Sequence, residues 1–478
     1  MELNSGKLPQ HQPGMDTHTR TTTKLVSVCL LLLSLIAASA DARRPVMQFE
    51  GRSSRMMAKQ CQIQRFTTAQ PSHKIESDGG MIEMWDPMED HFQCAGAAAM
   101  RITIRPKSLS LPKFFPSPRL IYVIQGRGMV GISCPGCPET YQMGGSESEE
   151  RHQRIHRIRR GDIIAIPHGH AHWCYNDGNE DLVAVSVLDL DNKNNQLDQS
   201  FRAFMLAGGQ SSRQDPSERS RQGLERMLQD TFQNVMSGLD DEILAESFSV
   251  PTEVIRKMKQ NDDMGLIVKC NEDMSMIKPD EEEAEQMRRN DDHNGIEETI
   301  CSSKIRYNME TMREADYYTR HAGKINVLNE QKLPILSSLD MGAERGTLMP
   351  DAMYTPHWSM TDMRMVYALR GDIQLQMVDD NGNTVMEERV KEGDMFIIPQ
   401  FYVVVAKAGS DGFDYITFKT SSMSMQMPMA GSTSMMRAMP VDVIVNSYQV
   451  SPSQAMKLKM NRDREAVVFT PTTRMSRS

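Results

Sequence analysis

Arg119-Leu-Ile-Tyr-Val-Ile-Gln-Gly126 and Arg364-Met-Val-Tyr-Ala-Leu-Arg-Gly371 carry Arg, Tyr and Gly at the same spacing, 245 residues apart. Each is followed by a second matched stretch, Arg160-Gly-Asp-Ile-Ile-Ala-Ile-Pro167 and Glu392-Gly-Asp-Met-Phe-Ile-Ile-Pro399. The order is the same in both halves, so one domain type occurs twice. Ile121, Val123, Met129 and Ile132 lie in short apolar runs broken by Gly126, Gly128 and Gly131, and residues 403–406 and 415–419 read the same way. Short β-branched or aromatic runs between glycines predict strands, and many of them predict a jelly-roll sandwich or barrel.

Helical spacing follows each β region. Residues 201–206, 224–235 and 254–258 show it after the first, with Pro251 placed to open the last of these. Residues 441–445 and 455–460 show it after the second, with Ser451-Pro452 as cap and first turn. Each half therefore reads as a barrel with a small helical appendix whose apolar stripe is either a subunit contact or a cover for its own barrel. Residues 271–294 join the halves. They are rich in Asp, Glu, Gln and Arg, include Asp280-Glu-Glu-Glu283, and predict a solvated linker open to proteolysis. A shorter acidic run, residues 146–150, predicts a loop in the first barrel.

Residues 25–36 are mostly apolar, preceded by Lys24 and followed by Ala38-Ser39-Ala40. That is a signal peptide over residues 1–40 with cleavage after Ala40, or else after Ala42, and Met15 is a possible true start. No later apolar run approaches the ~18 residues of a membrane span, and the formal charge of −9 lacks the basic stripe of a nucleic-acid binder. Neither a membrane nor a nucleic acid is expected as a partner. Beyond Cys29 in the signal, seven cysteines remain, an odd number. Cys134 and Cys137 form C-x-x-C without the second pair that zinc needs, so disulfides are expected rather than metal. The 40 Met fit either a tolerant core or a sulfur reserve.

Gly161, Pro167, Gly169, His172 and Asn176 resemble the second signature of the cupin superfamily, in which that His ligates a metal. The superfamily's other ligands, two His and a Glu, would fall at Pro112, Phe114 and Arg119 here. Pro and Phe offer no lone pair and Arg is a cation, so one ligand of four survives. In the second half the corresponding positions hold His357, Ser359, Arg364 and Val404, and again one survives. His172 and His357 are thus expected to be ordinary barrel-mouth residues and, with Asn176, vestiges of a metal pocket. No cofactor and no catalytic residue is expected, and no G-x-S-x-G, H-E-x-x-H or phosphate-cradling loop occurs.

Asn294-Gly-Ile-Glu-Glu-Thr-Ile-Cys301 resembles the processing signature of the legumin-type 11S seed storage globulins of oilseeds such as sesame. Cys61-Gln-Ile-Gln-Arg65, Gly136-Cys-Pro-Glu-Thr140 and Ala171-His-Trp-Cys-Tyr-Asn176 carry the resemblance through the chain. It implies a mainly β bicupin, two jelly-roll barrels each with a helical extra-barrel domain. The first barrel and its helices would span residues 41–270 and the second residues 295–478. It implies a nutrient reservoir of nitrogen and sulfur, not an enzyme. An asparaginyl endopeptidase would cut between Asn294 and Gly295. The resemblance also implies a Cys61–Cys94 bridge within the first chain. A second bridge, Cys137–Cys301, would join two chains otherwise held only by packing, with Cys134 a competitor for Cys301. It implies passage through the endoplasmic reticulum to the protein storage vacuole and assembly, with itself or other 11S subunits, into trimers and then hexamers. The rival reading is a metal-dependent bicupin enzyme of the oxalate-degrading or dioxygenase type. One departure from the family is the charge of the second chain, −2 rather than basic, against −8 for residues 41–294.

Overall fold

The computed structural model describes residues 63–135, 155–209, 231–259, 264–271, 274, 303–310 and 315–470. The described part is mainly β, as two curled antiparallel jelly rolls. In the first, a seven-stranded sheet runs His73–Ser77, Gly80–Met84, Ala97–Ile104, Leu182–Asp189, Arg119–Gln125, Asp162–Ile166, Arg306–Asn308. It faces a second sheet built on Ser108–Phe114, Ala171–Asn176, Arg127–Ser133 and His156–Arg159. The second barrel is one continuous curled sheet, because the long strands Arg364–Val378 and Val403–Lys419 run through both of its faces. Residues 403–406 and 415–419, read as two strands, are the ends of that one strand. Its ladder with Arg364–Val378 slips near Gly371 and Gly412, where the backbone takes φ of +76° and +78°. Glycine allows this bend without ending the strand.

The two matched halves share one core. Trp85, Leu120, Tyr122 and Val187 of the first barrel join Met365, Ile397, Ile416 and Phe418 of the second in a single buried cluster. A separate cluster including Ile102, Val123, Val130 and Ile164 fills the first barrel itself. The contact between barrels is reciprocal. Arg345 Nε donates to Tyr122 OH at 3.2 Å, and Arg101 Nη1 donates to Tyr367 OH at 3.5 Å. The tyrosine of the repeated motif is therefore an interface residue in both halves. The repeated glycine is a turn. Gly126 and Gly371 both have positive φ, and a Cβ at Gly371 would lie 2.1 Å from Gly412 O.

Helices Asp241–Phe248 and Thr252–Lys259 follow the first barrel, and Val441–Tyr448 and Pro452–Met460 follow the second. Ser451 caps the last through a full capping box with Gln454, with Pro452 in the first turn. Pro251 lies just outside helix Thr252–Lys259, and its carbonyl accepts from Val254 N. Residues 201–206, read as helical, are extended, and Phe204–Met205 pairs with Ser108–Phe114. Phe201, Ala203 and Met205 are buried while the residues between them are not, which is the period of a strand. Of residues 224–235, those before 231 lie outside the described residues, and Val235 opens a 3-10 turn, Val235–Gly238. Ile243, Phe248, Val254 and Met258 on one helix pair, and Val443, Tyr448, Met456 and Leu458 on the other, are exposed apolar residues.

Candidate functional site

Each barrel encloses a small cavity, about 50 Å³ in the first and about 40 Å³ in the second. His172 and His357 lie inside them, 4% and 3% exposed, so they are interior residues and not the barrel-mouth residues expected. The strands alternate, so His172 on Ala171–Asn176 faces inward opposite Lys113 of Ser108–Phe114. Arg119, at the start of its strand, brings Nη1 to 3.3 Å from His172 Nε2, while His172 Nδ1 lies 3.2 Å from His170 O. This network assigns the tautomer: Nδ1–H donates to the carbonyl and Nε2 accepts from the guanidinium. Burial, then the charges of Arg119 and Lys113, hold His172 well below the usual histidine range, so the ring is neutral.

The second barrel repeats the pairing. Arg364 Nη1 lies 3.1 Å from His357 Nε2, and His357 Nδ1 lies 2.9 Å from Thr355 O. Burial and the Arg364 charge push His357 down to about 3. Here the cations are neutralised. Arg364 Nε donates to Asp362 Oδ1 at 2.9 Å, and Lys419 Nζ donates to Glu344 Oε2 at 2.7 Å. Tyr415 OH donates to Glu344 Oε1 at 2.8 Å. Burial opposes ionisation of Glu344, but Lys419 and Arg364 outweigh it and hold the carboxyl at about 2.

The residues present do not fit a metal. In both barrels the histidine lone pair that would reach a cation is engaged by an arginine, and that guanidinium would repel an ion placed beside it. Ser359 Oγ donates to Asp362, and Val404, opposite His357 in register, has no lone pair to offer. Among the described residues no three His, Cys, Asp or Glu side chains are grouped to hold an ion. Asn176 is structural: fully buried, it donates from Nδ2 to Ile104 O and Glu180 O and accepts from Gly178 N, which pins the turn after its strand.

The aspartate of the second repeated stretch performs a task that its motif does not announce. Asp162 accepts from Arg306 Nη1 at 3.0 Å and Asn308 Nδ2 at 2.8 Å. Those residues follow the acidic linker, yet Arg306–Asn308 is an edge strand of the first barrel's sheet. Asp394, the repeat partner of Asp162, accepts from Gln70 Nε2. Residues 66–70 precede the first barrel, yet Phe66 N donates to Val385 O and Ala69 bridges Met395 in the second. Each half thus extends an arm onto the other, and an aspartate of the repeat grips each arm. Two chains cut in the linker would be joined by exchanged strands as well as by packing and any disulfide. The signal was present as the matched Gly-Asp, but its partners come from segments with no repeat of their own.

Cys94 is fully buried and disulfide-bonded. Ala40, Cys61, Cys137, Asn294, Gly295 and Cys301 lie outside the described residues, as does the acidic run 146–150. Cys174 and Cys270 are free thiols, and burial pushes Cys174 up to about 12.

Two jelly rolls back to back, each with an arginine–histidine pair in its pocket, define a bicupin whose described pocket residues do not present the usual metal ligands. The cupin family profile matches residues 66–210 and 310–456. The chain is 46% identical to 11S globulin seed storage protein 2 of Sesamum indicum, covering 95% of this chain and 99% of that one. It is 41% identical to the 11S globulin seed storage protein Ana o 2.0101 of Anacardium occidentale, covering 85% and 92%. The crystal structure of the coconut allergen cocosin superposes with TM-score 0.75 at 36% identity, covering 86% of this chain and 100% of that one. Pumpkin seed globulin superposes with TM-score 0.74 at 35% identity over the same shares. The chain belongs to the 11S globulin seed storage proteins, and its function is the family's: storage in the seed.

Proposed function

We propose that this globulin is a passive reservoir of nitrogen and sulfur, made as one chain and cut after Asn294 into two that remain joined. The observation that carries this reading is the exchange of arms between barrels. A chain held by exchanged strands tolerates a cut in its linker, because Arg306–Asn308 and residues 66–70 stay paired in the opposite half. Arginine at the metal position of both barrels weighs against the rival, a metal-dependent bicupin enzyme. The cut at Asn294–Gly295, the work of an asparaginyl endopeptidase, would fall in the acidic linker. Cys137–Cys301 would bridge the products and Cys61–Cys94 would close the first chain; the disulfide state of Cys94 supports the latter. The signal peptide, cleaved after Ala40, would deliver the chain through the endoplasmic reticulum to the protein storage vacuole.

The exposed apolar residues of both helix pairs favour assembly into trimers, then hexamers, with itself or other 11S subunits. Methionine serves as reserve as well as packing: Met423 is exposed, and Met425, Met427 and Met435 are half-buried, where a core has no need of them. Electrophoresis of seed protein tests the reading. One band near 50 kDa without reductant should split into about 29 and 21 kDa with it, by residue count, and the smaller chain should begin at Gly295. A single band under both conditions, or a different start, refutes the processing.

A further inference from the structure

The two pockets differ in charge: among the described residues, the cations of the second are paired with carboxylates and those of the first are not. In the first, Lys113 and Arg119 are 3% and 1% exposed, and among the described residues their contacts are to a hydroxyl, a carbonyl and an imidazole, with no carboxylate. Lys113 Nζ donates to Ser110 Oγ at 2.6 Å and to Leu111 O at 3.2 Å. Arg119 Nε donates to Ser186 Oγ at 3.1 Å and Nη1 faces His172, while Nη2 meets no acceptor among the described residues. The other titratable groups lining the cavity are His172 and Cys174, and apart from the Ser110 hydroxyl the rest of the wall is aliphatic. Neither compensates the charge, since the imidazole is neutral and the thiol, pushed up to about 12 by burial, stays protonated. Buried cations without a counter-ion are unfavourable, and an anion placed between them would offset that cost.

We propose that the first barrel binds one small monovalent carboxylate, of formate or acetate size, between Lys113 Nζ and Arg119 Nη2. A cavity of about 50 Å³ matches that size, since one water-sized group needs about 10–15 Å³ by the same measure. Ile102, Val123, Val130 and Ile164 line the rest of the cavity and favour a small acid over a long or polar one. The second barrel binds none, because Asp362 and Glu344 already neutralise Arg364 and Lys419. Burial, then the Arg119 charge, lowers Lys113 to about 7, so binding weakens as pH rises through neutrality and the ammonium is lost.

The test uses the full chain, with sodium formate in solution and bromide as a heavy-atom probe in crystals. At pH 6 and fixed ionic strength, formate should raise the melting temperature saturably. Lys113→Met should weaken the apparent affinity about tenfold or more. A bromide soak should give an anomalous peak between Lys113 and Arg119 and none beside Arg364, which decides the matter even if the variant fails to fold. No saturable rise, an equal rise in Lys113→Met, no peak in the first barrel, or equal peaks in both barrels would overturn the proposal.

Discussion

Replacing Glu344 by Gln leaves its shape and removes its charge. Lys419, whose side chain is 3% exposed, then has no counter-ion at 2.7 Å, and Arg364 keeps only Asp362. Tyr415 OH can still donate to the amide oxygen, so the hydrogen bond survives while the ion pair does not. Breaking a buried pair by removing one partner costs about 3–5 kcal/mol, because the remaining charge stays buried. Lys419→Met in the same chain removes that stranded charge. The double variant should recover to within about 1.5 kcal/mol of the original, since apolar replacement of a whole buried pair is close to neutral. The assay is guanidinium unfolding of the uncut chain, comparing midpoints at unchanged slope. If Glu344→Gln loses under about 1 kcal/mol, or the double variant is no better than the single one, this account of the second pocket is wrong.

Three further outcomes follow from the same structure. Acid should destabilise the protein from about pH 6.5 downward, because His357 at about 3 and Glu344 at about 2 bind fewer protons folded than unfolded. Their contributions are whole above the unfolded values and vanish as pH falls through the folded ones. Each adds a slope of up to about 1.4 kcal/mol per pH unit, and His357→Gln should flatten the stability profile between pH 4 and 6. Reduction of the cut protein at neutral pH without denaturant should not separate its chains on gel filtration, because Arg306–Asn308 stays paired with Asp162–Ile166; separate elution would remove the exchanged arms from the account. Gly371→Ala should fail to give soluble protein, or should lose at least about 3 kcal/mol, because its Cβ would meet Gly412 O at φ +76°; a stability near that of the original chain would contradict the assigned turn.

The sequence repeat made the fold legible, and the structure explains each matched residue. Arg119 and Arg364 close the pockets, Tyr122 and Tyr367 join the barrels, Gly126 and Gly371 turn the chain, and Asp162 and Asp394 hold the exchanged arms. Counting ligands against the cupin signature found the arginines but not what they do, since motif spacing gives no depth. Hence the spacing puts at the rim two histidines that the fold buries. Glu344 and Lys419 are invisible for a related reason: buried charge is recognised by its partner, and these two sit on different strands 75 positions apart. Lys113 and Asp362 have their partners close in sequence, but nothing in the spacing marks those residues as buried. The extended run from Phe201 suggests a helix because its apolar residues fit a helical period as well as alternation over so short a stretch. The arms escaped notice because β-pairing joins residues such as Ile164 and Arg306, 142 positions apart with a linker between them.

In both barrels of this storage protein an arginine stands where a metal would sit. Protein purified from seed, dialysed against manganese, zinc and copper and then freed of excess ion, should carry far less than one metal per chain by elemental analysis. It should also leave oxalate and related small acids unchanged. One ion per chain, retained in the pockets and accompanied by turnover of such an acid, would contradict the account.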